Sequence, residues 1–197
     1  RGISFGAFLI KQVASDLMKE LPNLATFVTL SPVPGFADWL NAEAARAPSV
    51  VDVEVRAVMA SLAETEDWLA DEPLAKSAEA ALSPLLAHYL TAARDEAARV
   101  VDPVARFHLG NGARLERLNF AADRSPRGLS RAHGFMVNYR YILDEVEKNH
   151  ELFVGEGRVV AQPAIVKLAQ RVKLTGTEGE ALPQAGPAVA ETSAAET

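Results

Sequence analysis

Two polar side chains sit where their types and surroundings could do chemistry. Ser31 lies in Thr29-Leu30-Ser31-Pro32-Val33-Pro34-Gly35-Phe36, and His108 lies in Pro103-Val104-Ala105-Arg106-Phe107-His108-Leu109-Gly110-Asn111-Gly112-Ala113. An imidazole titrates near neutral pH and suits proton delivery. A hydroxyl can orient a substrate or relay a proton. A third segment, Arg1-Gly2-Ile3-Ser4-Phe5-Gly6-Ala7, places glycines ahead of a helix. There, free N–H groups and the helix dipole can hold a phosphate. Each feature also has an ordinary reading. Ser before Pro initiates turns, a histidine among apolar residues is commonly a hydrogen-bonded core residue, and the glycine spacing of the loop is equally that of a plain turn. His88, His133 and His150 share no ligand spacing with His108, so no zinc site is expected. No acidic partner stands at a helical spacing from His108.

The elements around these residues can be read from the pattern of the chain. Gly6 to Glu20 reads as a helix with Leu9, Ile10, Val13, Ala14 and Leu17 on one face, ended by Pro22. Leu24 to Leu30 reads as a short buried strand of the parallel, central kind. Ser31 to Gly35 follows as a rigid extended loop, because each Pro restricts itself and its predecessor. A helix is expected to begin near Phe36. Another is expected over Val50 to Leu69, with Val51, Val55, Val58, Leu62 and Leu69 inward and Glu64, Glu66 and Asp67 on a solvated face. The helical pattern continues over Leu74 to Tyr89 and Thr91 to Val100, with Pro84 opening a new helix. Ala113 to Phe120 alternates charged and apolar residues like a strand. Ser125 to Gly128 reads as a turn and Phe135 to Asn138 as a strand. Asp144 to His150 is a polar segment stopped at Asn149, and Val159 to Val172 reads as a strand and then a helix from Pro163.

The 197 residues suffice for one domain, 1–173, with a sizeable core. The stretch 174–197 is rich in Gly, Pro, Ala, Thr and Glu without periodicity and is expected to be a disordered tail. It holds four of the six net negative charges, leaving about −2 on the rest, so nothing points to nucleic acid or an anionic membrane. There is no cysteine, which excludes disulfides, thiolate metal sites and Cys nucleophiles. No apolar run approaches the ~20 residues that cross a bilayer. The first residue is not Met and stands inside the glycine-containing loop. The expectation is therefore the C-terminal part of a longer protein, with a sheet incomplete at its N-terminal side.

The serine and histidine segments together resemble malonyl-CoA decarboxylase. So do the opening loop and its helix as far as Lys11, Gly112 to Asn119, and Gly134 to Tyr141. The likeness runs from Arg1 to Lys173 and is weak from about Leu40 to Val101. It implies an α/β, acetyltransferase-like (GNAT-like) mixed sheet flanked by helices. It implies decarboxylation of malonyl-CoA to acetyl-CoA and CO2, a step of fatty acid metabolism, with Ser31 and His108 as catalytic residues. Arg1, Gly2, Ile3, Ser4, Phe5, Gly6 and Ala7, together with Ser31 and His108, would contact the CoA substrate. Tyr139 and Tyr141 would either wall an acyl pocket or pack in the core. Because the thioester itself is the electron sink, no metal or other cofactor is called for. The resemblance further implies a homo-oligomer, through an N-terminal helical domain outside this chain. It also implies a cytoplasmic protein of bacterial type, and Ala194-Ala195-Glu196-Thr197 is not a peroxisomal signal. Two other readings stay open: an acyl-CoA-dependent acetyltransferase with an amine acceptor, and a CoA-binding module without catalysis.

Overall fold

A computed structural model describes residues 5–175, with side chains from Leu9 onward. Eight helices and three strands lie along them, with four consecutive helices between the first strand and the second. Helix α1 covers Phe5–Glu20. It ends where expected, with Leu21 N–H still donating to the Leu17 carbonyl at 2.8 Å just ahead of Pro22. Its apolar face is less covered than the spacing implies. Ala14 is buried, whereas Leu9 and Val13 are about half exposed, at 49% and 50%.

Strand β1, Phe27–Pro32, pairs antiparallel with β3, Met136–Tyr141. β3 also pairs antiparallel with β2, Arg114–Asn119. The order β1-β3-β2 puts β1 at an edge. The expectation of a central parallel strand over Leu24 to Leu30 is thereby corrected in position, direction and place. Among the described residues, parallel pairing is confined to one bridge, Leu115 to Ala161. Ser31 belongs to the strand and not to the loop after it, because its backbone opposes Val137. Alternation then fixes the faces. Thr29 and Ser31 lie on the face of β1 opposite Tyr139 and Val137, which are fully buried, and Val28 and Leu30 lie on the outer face, half exposed.

Helix α2, Phe36–Ala44, leaves the Pro-rich turn as expected. Helix α3, Val53–Glu64, is capped by Asp52 and buries Val55 and Leu62. Helix α4 runs unbroken through Glu72–Thr91 and contains Pro84. The proline does not open a new helix. A Pro inside a helix costs ~3 kcal/mol, and α4 offsets that by burying Leu82, Leu85, Leu86, Tyr89 and Leu90 to 2% exposure or less, each contributing roughly 1.5–3 kcal/mol. The helical pattern expected over Thr91 to Val100 is not formed. Asp95 accepts from the N–H of Ala97 and Arg99, and Arg94 bridges Val100. A short polar side chain there wins the backbone from the helix.

Helix α6, Pro126–Ala132, replaces the turn expected at Ser125. That serine is its N-cap, accepting from Gly128 N–H at 3.0 Å, with Pro126 in the first turn. Helix α7, Val146–Glu156, passes through Asn149 without stopping. Asn149 is buried and donates to the Gly112 carbonyl, so its polarity serves a contact and not a terminus. Helix α8, Pro163–Ala169, starts at its proline. The core lies between α2, α4 and the inner face of the sheet, with Phe36, Leu40, Leu82, Leu86 and Tyr89 against Leu115, Phe135, Val137 and Tyr139. Thr175 pairs with Ser49 through two backbone hydrogen bonds. The rest of the expected tail, 176–197, lies outside the described residues.

Candidate active site

Helix α5, Pro103–Gly110, carries His108 in its last turn. The local sequence dictates this helix. Asp102 is the N-cap, its carboxylate accepting from Ala105 N–H at 2.8 Å, and Pro103 is pre-set for the first turn. Ala105 and Leu109 fasten the helix to the core. The chain then turns at Gly112, whose φ of +82° favours glycine. A Cβ at Gly112 would run into the Val146 carbonyl, so α5 and α7 close on each other only because none is there. From α7, Asn149 donates to the Gly112 carbonyl and His150 Nδ1–H donates to the Gly110 carbonyl at 2.6 Å. The end of α5 is thus held by two side chains.

This brings His108 onto the inner face of the sheet, beside Ser31. His108 Nε2 lies 3.1 Å from Ser31 Oγ, although 77 residues separate them. The other ring nitrogen, Nδ1, lies 2.8 Å from the Tyr141 hydroxyl. The imidazole stacks on the Tyr139 ring, with centroids 4.5 Å apart and planes 19° off parallel. Ser31 Oγ also lies 3.0 Å from Thr29 Oγ1. Four groups therefore form one line: Thr29, Ser31, His108, Tyr141. Both ends come from strand alternation, Thr29 with Ser31 on β1 and Tyr139 with Tyr141 on β3.

Burial lowers the pKa of His108 below the usual imidazole value. Burial pushes the Tyr141 phenol up to about 12, so it stays protonated and can serve the ring as donor or acceptor. Tyr139 is fully buried, and its hydroxyl has no hydrogen-bond partner. Desolvation raises its pKa well above that of a free phenol. Beneath the site, Asp102 is fully buried and 3.4 Å from the Tyr89 hydroxyl, and burial raises its pKa. An open groove of about 410 Å³ runs along α1 and β1 and reaches the cluster at Thr29 and Tyr141.

Of the residues expected from sequence, the structure unites Ser31 and His108. Arg1, Gly2, Ile3 and Ser4 lie outside the described residues, and Phe5, Gly6 and Ala7 form the first turn of α1. Thr29 by itself carries no functional signal in the sequence, and Tyr139 and Tyr141 read there only as wall or packing. The available signal was two pairs of polar or aromatic residues at a spacing of two on neighbouring strands. His88 and His133 stand apart, ring against ring with Trp39 and Phe36 respectively. Among the described residues no three His, Asp or Glu side chains gather as metal ligands. No helix there is long and apolar enough to cross a membrane.

The sequence signature of the malonyl-CoA decarboxylase C-terminal domain matches residues 1–179. The chain belongs to this family. The mitochondrial malonyl-CoA decarboxylase of Rattus norvegicus is 34% identical over 186 residues, covering 85% of this chain and 38% of that protein. The crystal structure of malonyl-CoA decarboxylase from Rhodopseudomonas palustris superimposes with a TM-score of 0.79 at 49% identity, covering 85% of this chain and 38% of that one. That from Agrobacterium vitis gives a TM-score of 0.78 at 50% identity, covering 85% and 41%. The chain thus spans about two fifths of the length of the family members it resembles.

Proposed function

We propose that this chain supplies the acid–base site of an enzyme that decarboxylates malonyl-CoA to acetyl-CoA and CO2. The observation that carries the reading is the 3.1 Å contact between Ser31 Oγ and His108 Nε2, in a chain of the malonyl-CoA decarboxylase family. When the C2–carboxylate bond breaks, CO2 leaves and its bonding electrons pass into the thioester as an enolate. Carbon 2 must then receive one proton. The His108 imidazolium holds that proton and Ser31 stands next to it, so Ser31 gives its own proton to C2 and takes the one on Nε2. Imidazole is left neutral, with its remaining N–H on Tyr141, and solvent recharges it. A free imidazole with a lowered pKa is poorly charged at pH 7. The incoming substrate carboxylate favours the imidazolium, so the acid is charged when the substrate is bound.

The opening segment Gly2 to Ala7 is the proposed CoA contact, supported by Phe5, Gly6 and Ala7 forming the first turn of α1. An acetyltransferase-like sheet in the intact protein, a homo-oligomeric state and a cytoplasmic location belong to the same proposal and rest on the family likeness. The test is CO2 release from malonyl-CoA by the intact protein, with and without an amine acceptor. Stoichiometric CO2 and acetyl-CoA without amine support the proposal. Acyl transfer only when amine is present would identify an acyltransferase, and CoA binding without turnover would leave a binding module.

A further inference from the structure

We propose that Thr29 is a positioning residue for the Ser31–His108 pair, its hydroxyl donating to Ser31 Oγ so that the single Ser31 proton points at the substrate carbon. The inference rests on the decarboxylation reading above and adds a residue to it. The argument is one of counting hydrogens. A serine hydroxyl has one proton and two lone pairs. In the charged site, His108 Nε2–H donates into one lone pair across 3.1 Å. The Thr29 hydroxyl lies 3.0 Å away and accepts from Ser31 in the resting site; in the charged site the two hydroxyls exchange roles, and Thr29 donates into the other lone pair. Both lone pairs are then filled, and the one Ser31 proton is turned away from Thr29. With substrate bound, it is left for C2.

If Thr29 were apolar, the Ser31 hydroxyl would rotate among water, substrate and ring. If Thr29 accepted instead, the Ser31 proton would point back along β1, away from the reaction. The donated bond also makes the Ser31 oxygen less basic as its proton departs, which favours the relay. After transfer, the former Nε2 proton sits on Ser31 and faces the bare nitrogen, with the Thr29 bond unchanged. The Thr29 hydroxyl is held for this task. Thr29 is half-buried, its backbone is paired opposite Tyr139, and its carbonyl accepts from Asn138 Nδ2 at 2.8 Å. Its β-branched side chain has few χ1 choices, so strand geometry delivers the hydroxyl to Ser31. A threonine two residues before a serine on one strand face is thus more than β propensity.

The experiment compares Thr29→Val, Thr29→Ala and Thr29→Ser in the intact protein, each alone and with Ser31→Ala. Thr29→Val keeps the branched shape and loses only the hydroxyl. Thr29→Ala and Thr29→Ser both lose the methyl, so the hydroxyl alone separates them if packing is disturbed. The expected result is a kcat about tenfold lower for Val and Ala, near wild type for Ser, with KM for malonyl-CoA little changed. In the Ser31→Ala background, Thr29→Val should cost nothing further, because its partner is gone. Equal losses in the Ser and Ala variants, or a full tenfold loss without Ser31, would overturn the proposal. A second readout needs no turnover. The 15N resonance of His108 Nε2 should move in Thr29→Val and stay in Thr29→Ser, and an unmoved resonance in both would refute the coupling even if the protein proved not to be a decarboxylase. Wild-type protein that releases no CO2 while the resonance moves would refute the decarboxylation reading alone.

Discussion

On the proposed reading, His108 is charged only on demand. Burial lowers its pKa in the free protein, and only the imidazolium has a proton to spare. The acid form is lost as pH rises through that lowered pKa, so kcat/KM should fall from below about 6.5 upward. If malonyl-CoA binds there as proposed, its carboxylate moves the pKa up, and kcat should hold to higher pH. Parallel pH profiles of kcat and kcat/KM check both limbs, and coincident limbs would contradict the coupling. His108→Asn should lower turnover by a factor on the order of 10²–10⁴ while CoA affinity stays near wild type. Tyr139 offers a contrast. Its hydroxyl is buried without a partner, so Tyr139→Phe should leave the melting temperature equal or higher, and activity intact, because the ring still stacks on His108. Ser31 and His108 were legible as residue types in recognisable segments. Their contact was not, because nothing in a local sequence reports on a pair 77 residues apart. Tyr141 was harder still, since an aromatic in a strand reads as packing until its hydroxyl has an address.

At the scale of elements, α5 is a short arm whose aim depends on both its ends. Asp102→Ala removes the cap and should cost about 0.5–2 kcal/mol of stability, with a larger kcat loss than Asp52→Ala, whose cap serves α3 away from the site. Chemical denaturation alongside turnover separates the two variants. Gly112→Ala meets both a positive φ and the Val146 carbonyl. It should destabilise by about 1–3 kcal/mol, or separate α5 from α7 and lengthen the Ser31–His108 contact. Periodicity showed most helices and placed β2 and β3 near their observed spans. It failed where side chains compete for backbone, as at Asp95 and Ser125, and where packing overrides propensity, as at Pro84 and Asn149. The order and direction of strands were not legible, because β1 and β3 lie more than a hundred residues apart and alternation is the same in parallel and antiparallel pairs.

On the scale of the whole molecule, two features bear on behaviour in solution. His88, His108 and His133 are all shifted down, with burial the leading cause in each. The unfolded chain takes up these protons near pH 6.5 and the folded one only at lower pH, so stability should decline as pH falls below about 6.5. Melting temperature measured between pH 8 and 5 checks the sign. The second feature is the edge of the sheet. Among the described residues, strand β1 pairs on one side only, and its own Val28 and Leu30 are 50% and 56% exposed. An open edge with apolar flanks recruits other strands. The 197-residue chain on its own should self-associate, and in the intact protein the outward amides of β1 should be protected from hydrogen exchange. A monodisperse isolated chain with fast-exchanging β1 amides would show that the edge is native.

The turn after His108 also sets how this protein ages. Asn followed by Gly is the dipeptide in which a backbone nitrogen most readily attacks the preceding side-chain amide, closing a succinimide and leaving aspartate or isoaspartate. In the folded chain Asn111 is buried, and the Gly112 nitrogen is turned to the Leu109 carbonyl at 3.0 Å. The attacking atom is thus committed elsewhere. Each excursion to an unfolded state releases it, and the resulting lesion would stand three residues from the imidazole, in the turn that aims it. The fold therefore acts as a preservative for its own site. Time spent unfolded, more than time since synthesis, should determine how many copies lose activity, and isoaspartate at position 111 would record it.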